Sequence, residues 1–298
     1  MAKERFDIHQ HITTQIIAAI EQGAGDFQLP WHQGGQVSRP TNISSKRAYR
    51  GVNILALWAA SHACGYSSGV WGTYRQWAEA GAQVRKGEKS SYVVFYKELE
   101  FAQDDGTDPE TRLFARATPV FAAEQVDGLP PEPVSDRPEI ERIATVEAFV
   151  AATGAVISHG GDRAYYRPST DNIQIPSASD FVGTATSTPQ EAYYSTLLHE
   201  LTHWTAPEHR CDRTFGKRFG DDAYAMEELV AELGAAFLCA DLCIATEPRP
   251  DHAQYLAAWL AVLKADKKAV FTAASAASKA ADYLASFSSP DPHSIRSE

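Results

Sequence analysis

Residues 188 to 204, TPQEAYYSTLLHELTHW, constrain the fold more than any other stretch of the sequence. Proline at a first helical position and a Thr-x-x-Glu capping box from Thr188 to Glu191 both mark a helix start just upstream of His199. In such a helix His199 and His203 lie one turn apart on one face, near enough for both imidazoles to hold one small cation at about 2.0 to 2.1 Å. Glu200 cannot point along the line of both rings. It can reach a water held by the ion and take its proton, the general-base role that this spacing serves. The competing reading is a solvated polar helix face with no metal. The spacing favours a zinc-dependent hydrolase site of the metallopeptidase kind.

A catalytic zinc site uses three protein ligands and keeps one position open, so a third ligand is expected downstream. In MEELVAELGAAFL, Leu229, Leu233, Ala236 and Phe237 form a helical core stripe, with Glu228 and Glu232 one turn apart beside it. Carboxylates so close to an apolar face are costly to bury for solubility alone. The pair resembles that of the glutamate zincins, where the first acid binds the metal and the one four residues on orients a ligand histidine. That resemblance implies Glu228 as metal ligand and Glu232 as its supporting carboxylate, with an exchange of the two roles left open. Glu227 is expected to face elsewhere. Zinc is the default ion for such ligands, and manganese or another divalent cation also suits them. His159, His209 and His252 lack partners at ligand spacing. Tyr193, Tyr194 and Tyr224 have the chemistry to bind a tetrahedral intermediate but read more readily as packing residues. The stretch from Asp171 to Pro176 is a candidate sheet edge for an extended peptide.

The rest of the chain reads as α+β in two domains. Ile8, Ile12, Ile16, Ile17 and Ile20 mark a first helix from Phe6 to about Gln22. Helices follow over Asn53 to Cys64 and Thr73 to Ala80, then a strand over Tyr92 to Phe101 and a second near Leu113 to Phe121, joined across Asp104-Asp105-Gly106. Residues 1–127 form a small N-terminal α/β domain. Residues 128–140, rich in proline and acids, read as a linker. Residues 141–298 form a mainly helical domain with a helix from Glu141 to Thr153, a strand over Ala164 to Ile175, and helices near 189–205, 222–243, 251–264 and 267–287. Four cysteines without CxxC spacing are expected to be thiols without function, with Cys239 and Cys243 buried. No run of roughly 18 apolar residues offers a membrane span, and a cytoplasmic protein is expected.

The net charge of −11 hides a local excess of the opposite sign. Between Val37 and Lys97 nine basic residues face Glu79 and Glu88, a balance of +7 that leaves −18 for the remainder. Aromatic residues from Tyr49 to Tyr96 interleave with these cations, a combination that suits single-stranded nucleic acid, because cations follow phosphates while exposed rings stack on bases. Trp58 and Phe95 are expected in the core. The expected exposed contacts are Arg47, Tyr49 and Arg50, then Tyr74 and Arg75, then Arg85, Lys86 and Lys89.

Taken together, the segment RAYRGVNILALWAASHACGYSSGVWGTYRQWAEAGAQVRKGEKSSYVVFYKE, with STLLHELTHWT and EELVAELGAAFLCADL, resembles the ArdC-type antirestriction proteins of conjugative plasmids. Their first half is similar to the N-terminal domain of TraC-type plasmid primases. The resemblance implies an N-terminal domain that binds single-stranded DNA and a C-terminal zincin-like metallopeptidase domain. It also implies a role in shielding incoming plasmid DNA from host restriction. Partners would be single-stranded DNA and a host restriction enzyme or another protein substrate, with no membrane. Alternatives are a site-specific peptidase acting on a host protein, and a DNA-binding module whose metal site is vestigial.

Overall fold

The computed structural model describes residues 6–23, 38–101, 110–129, 138–183, 187–213, 222–245 and 252–288. The isoleucine stripe forms α1 (Ile8–Gly23), with Ile8, Ile12, Ile16 and Ile20 buried at every fourth position. It packs on α2 (Val52–Cys64), which is apolar all round and buried over its first nine residues, as a central helix must be. A reciprocal Thr73–Gln76 capping box starts α3 (Tyr74–Glu79).

Strand β4 (Ser91–Phe101) pairs antiparallel with β5 (Glu110–Ala122) in a long ribbon. Two short strands that carry little sequence signal, β1 (Thr41–Asn42) and β2 (Val70–Gly72), complete a sheet of order β1-β2-β5-β4. Another pair, β3 (Gln83–Val84) and β6 (Val126–Asp127), closes a small cluster around Trp77. The expected turn at residues 104–106 lies outside the described residues, as does most of the expected linker.

The second half opens with α4 (Glu139–Thr153). A three-stranded sheet of order β7-β9-β8 follows, from β7 (Val156–His159), β8 (Tyr165–Arg167) and β9 (Asn172–Ile175). The single strand expected over Ala164 to Ile175 is therefore two, because Pro168 starts a turn in which Asp171 takes a left-handed φ of 48°. Residues 172–175 are the central strand, parallel to β7 and antiparallel to β8, and not the free edge expected for a peptide.

Helix α5 (Pro189–Trp204) lies across β8 and β9 and against α6 (Asp222–Leu242). Helices α7 (His252–Ala265) and α8 (Ala269–Ser286) complete the half, with α8 on α6. No helix among the described residues is long and apolar enough to cross a membrane. All four cysteines are free; Cys211 and Cys239 are buried, whereas Cys243, expected to be buried, is only half-buried.

One buried cluster runs through both halves, from Ile12 and Trp58 to Leu198, Phe237 and Ala274. At the seam the Trp58 and Phe237 rings lie 5.8 Å apart. Arg39, one of the nine cations of the basic stretch, is drawn into this seam, where it reaches Asp241 at 2.6 Å and lies over the Phe237 ring.

Candidate metal centre

The site forms where α5 and α6 cross. Thr188 accepts from the Glu191 backbone N–H, and the Glu191 carboxylate accepts from the Thr188 N–H, so the helix starts as the capping box predicts. Arg142 of α4 pairs with Glu191 at 2.5 Å and anchors that end of α5. At the other end Arg210 stacks on Trp204, donates to its carbonyl and forks onto Asp171.

Gly234 explains how α6 comes close enough. A Cβ there would lie 2.5 Å from Thr202 Cγ2, so a larger residue would force the helices apart.

Across this crossing His199, His203 and Glu228 converge. Each is buried, and one donor atom from each lies within 4.8 Å of the others. His199 Nε2 is 3.5 Å from Glu228 Oε2, and His203 Nε2 is 3.5 Å from Glu228 Oε1. Two ligands at about 2.05 Å on a tetrahedral ion stand roughly 3.3 Å apart, so this spacing fits zinc or a similar divalent ion. The donor chemistry, two imidazoles and a carboxylate, fits as well.

The outer ring nitrogens face two other carboxylates. Glu232 Oε2 stands 3.7 Å from His199 Nδ1, too far for a hydrogen bond, and that nitrogen is buried without a hydrogen-bond partner. Glu227 Oε1 is 3.2 Å from His203 Nδ1. The structure places Glu228 at the inner side of both rings and Glu232 behind His199. Glu227 departs from expectation. It does not face elsewhere but supports the second histidine, held in turn by Arg213, which donates to both its carboxylate oxygens at 2.9 and 3.0 Å. Arg213 also donates to Thr205 Oγ1 and the Thr202 carbonyl, tying the end of α5 to this carboxylate.

Helix phase alone sets Glu227 about 100° from Glu228, which is why the sequence points it away. The one signal for it in the sequence is weak, an unbroken Glu227-Glu228 pair entering an apolar run.

Electrostatics follow the burial. Desolvation pushes the His203 imidazole down, but hydrogen bonds to Glu227 and Glu228 outweigh it and raise it to about 10. Desolvation likewise raises both carboxyls, and the facing cations prevail: Glu228 is held far below the usual carboxylate range by the histidines, and Glu227 below it by His203 and Arg213. Glu200 is buried on the same helix, 2% exposed. Tyr193 and Tyr194 are held by neighbours, Tyr193 by His159 Nε2 at 2.8 Å and Tyr194 by donating to Glu147 at 3.0 Å. Tyr224 is half-buried on α6.

The basic half is rearranged relative to expectation. Tyr49 is not on the surface but in the core, only 6% exposed, its hydroxyl accepting from Asn42. Phe95, expected in the core, is 51% exposed. Arg50 pairs with Asp282, Arg75 with Glu79 at 2.7 Å and Arg85 with Glu88 at 2.8 Å. Arg47, Tyr74, Lys86 and Lys89 are exposed as expected.

A helix bearing two histidines and a glutamate, crossed by a second that supplies a carboxylate, defines a zincin-like metal-centre protein. The model of the zincin-like metallopeptidase family matches residues 144–276, and that of the N-terminal domain of anti-restriction factor ArdC matches residues 6–126. The chain belongs to the ArdC antirestriction family. It is similar to the crystal structure of metal-free antirestriction protein ArdC from plasmid R388, at 39% identity and a TM-score of 0.77, covering 95% of this chain and 98% of that one. The Mn(II)-bound structure of that protein gives 38% identity and a TM-score of 0.74, covering 95% and 99%. Protein y4eC of Sinorhizobium fredii (strain NBRC 101917 / NGR234) is 50% identical over 286 residues, 93% of this chain and 91% of y4eC. DNA primase TraC of Escherichia coli is 36% identical over 308 residues, which span 96% of this chain but 28% of the primase.

Proposed function

We propose that this chain binds single-stranded DNA through its N-terminal half, carries a metal-dependent peptidase-type site in its C-terminal half, and protects incoming plasmid DNA from host restriction in the recipient cytoplasm. The observation that carries the hydrolytic part is the buried His199, His203 and Glu228 set with a further carboxylate behind each imidazole. Purely structural histidines have no need of two such carboxylates converging on one cluster.

His199 and His203 present Nε2 inward; Glu227 fixes the His203 ring from behind by its hydrogen bond, and Glu232 stands behind His199 at 3.7 Å. The chemistry supplied by a bound divalent ion is polarisation of a carbonyl and acidification of a water. Glu200, next to the first ligand and shielded from solvent, is the group to accept that proton and pass it to a leaving amine. Family membership supports the antirestriction role, and the exposed cations Arg47, Lys86 and Lys89 support nucleic-acid affinity.

Metal content by mass spectrometry on wild type, His199→Ala and Glu228→Ala, with single-stranded DNA affinity on the same samples, tests both parts. The expected result is about one ion per chain, lost in both variants while DNA binding persists. A wild type that is metal-free after purification without chelator removes the hydrolytic half. Glu200→Ala then separates the roles in a restriction-protection assay: protection lost with the ion retained ties hydrolysis to protection, and protection kept makes the chain a DNA-binding shield.

A further inference from the structure

We infer that the open face of the β4–β5 ribbon is a base-stacking platform, the place where single-stranded DNA lies. The inference rests on the reading that the chain binds such DNA, and it moves the contact surface away from the basic loops that the sequence singles out.

The register sets Phe95 opposite Arg116 and Lys97 opposite Phe114. Residues directly opposite share a face, as do residues two apart along a strand. The four side chains therefore form a two-by-two checkerboard of rings and cations on one surface. Phe95 is 51% and Phe114 39% exposed, and Lys97 and Arg116 are exposed beside them. On this face the ribbon is buried only at its root, at Val93; on the other face Tyr92 and Tyr96 lie against Phe6 and His9, and the backbone at Val94 is held by Asn53.

Two physical facts set this face apart. First, Lys97 and Arg116 form no ion pair among the described residues, unlike Arg50, Arg75 and Arg85. Arg47, Lys86 and Lys89 are likewise unpaired among them, but only the ribbon sets its cations directly opposite exposed rings in register. On a chain of net charge −11, two cations with no acid beside them among the described residues and a half-exposed Phe95 ring add little to folding. They suit a polymer with a negative backbone and flat, unpaired bases. Second, the face opens into a cleft of about 420 Å³ that Phe95, Lys97 and Arg116 share with a polar wall. In that wall Asn42 Nδ2 donates to Gln76 Oε1 at 3.0 Å and to the Tyr49 hydroxyl at 3.1 Å, so the amides are fixed before any ligand arrives. A base stacked on Phe95 would meet these groups with its edge. Tyr49 thus contributes from within, as a buried support of the wall and not as an exposed ring.

The test is fluorescence anisotropy of a labelled dT20 oligonucleotide with the full chain, comparing wild type with Phe95→Ala, Phe95→Trp and the double variant Lys97→Ala/Arg116→Ala. Metal content and melting temperature on the same samples confirm folding. Phe95→Ala should weaken binding by roughly fivefold to a hundredfold, and Phe95→Trp should restore it, since every base stacks on a larger ring. The double variant should lower the slope of log affinity against log salt by about 1.4, because two phosphates of a single strand then keep their counterions. If wild type binds dT20 and both Phe95→Ala and the double variant bind equally well, the platform is wrong and the DNA-binding reading stands. If wild type fails to bind dT20 in low salt, the DNA-binding reading itself falls.

Discussion

The α5–α6 crossing and the β4–β5 ribbon handle charge in opposite ways. At the crossing, histidines and carboxylates are taken out of water and answered by one another: Glu228 faces both inner nitrogens, and Glu227 faces His203 and Arg213. On the ribbon, Lys97 and Arg116 stay in water beside exposed rings, with no acid to meet them among the described residues. The first arrangement is fixed in advance and suits a small ion with strict geometry. The second is a field and a set of flat faces, and suits a flexible polymer whose counterions it replaces. Rigidity in one place and unanswered charge in the other are what the two ligand types require.

If this contrast is right, damage at the crossing should be large and confined to metal and stability. Glu227→Ala removes the partner of His203 and leaves Arg213 charged in a buried site, so a loss of about 3 to 5 kcal/mol is expected by urea denaturation. Metal affinity in a competition assay should fall roughly 10- to 100-fold, with dT20 affinity unchanged within about twofold. A Glu227→Ala protein that weakens DNA binding as much as metal binding would break the separation. Gly234→Ala is a gentler probe of the same crossing. The added Cβ meets Thr202, a residue locked by its own hydrogen bond to the Leu198 carbonyl, and the overpacking should cost about 1 to 3 kcal/mol. Metal affinity should drop with stability there, because the carboxylates of α6 move with its backbone; unaltered metal binding would show that the helix spacing does not set the site.

The smallest effect is expected on the basic loops. Arg75 is already answered by Glu79 one turn along α3, and Arg75→Ala should change dT20 affinity by less than about twofold at moderate salt. A tenfold loss would return the DNA surface to α3 and away from the ribbon.

The metal centre was legible because helical periodicity converts sequence spacing directly into geometry. Positions 199 and 203, and 228 and 232, are each one turn apart, whereas the meeting of the two pairs was supplied by the resemblance to the glutamate zincins. Glu227 was not legible, because its role depends on how α6 is rotated against α5 and on Arg213, a residue from a different segment. The sheet was harder still. The aromatic and β-branched residues of YVVFYKE identify a strand but not which face is covered, and that is decided by α1 and α2 on one side and by α3 and its loops on the other. For this reason Phe95 and Tyr49 exchange places relative to expectation, one in solvent and one in the core. Strands of two or three residues, such as β1, β2 and β3, have no periodicity to read and form only because longer neighbours offer them an edge.

The contact of Trp58 with Phe237, and the reach of Arg39 to Asp241, also say something about inheritance. Two units that meet through loops can be shuffled between genes, since each arrives with its own finished interior. Here the interior is continuous, so a recombination event that brought in only one half would deliver a partner with an apolar wound and an unanswered arginine. The likeness to the TraC primase takes in 96% of this chain, both halves together, and 28% of the primase, as expected of halves that share one interior.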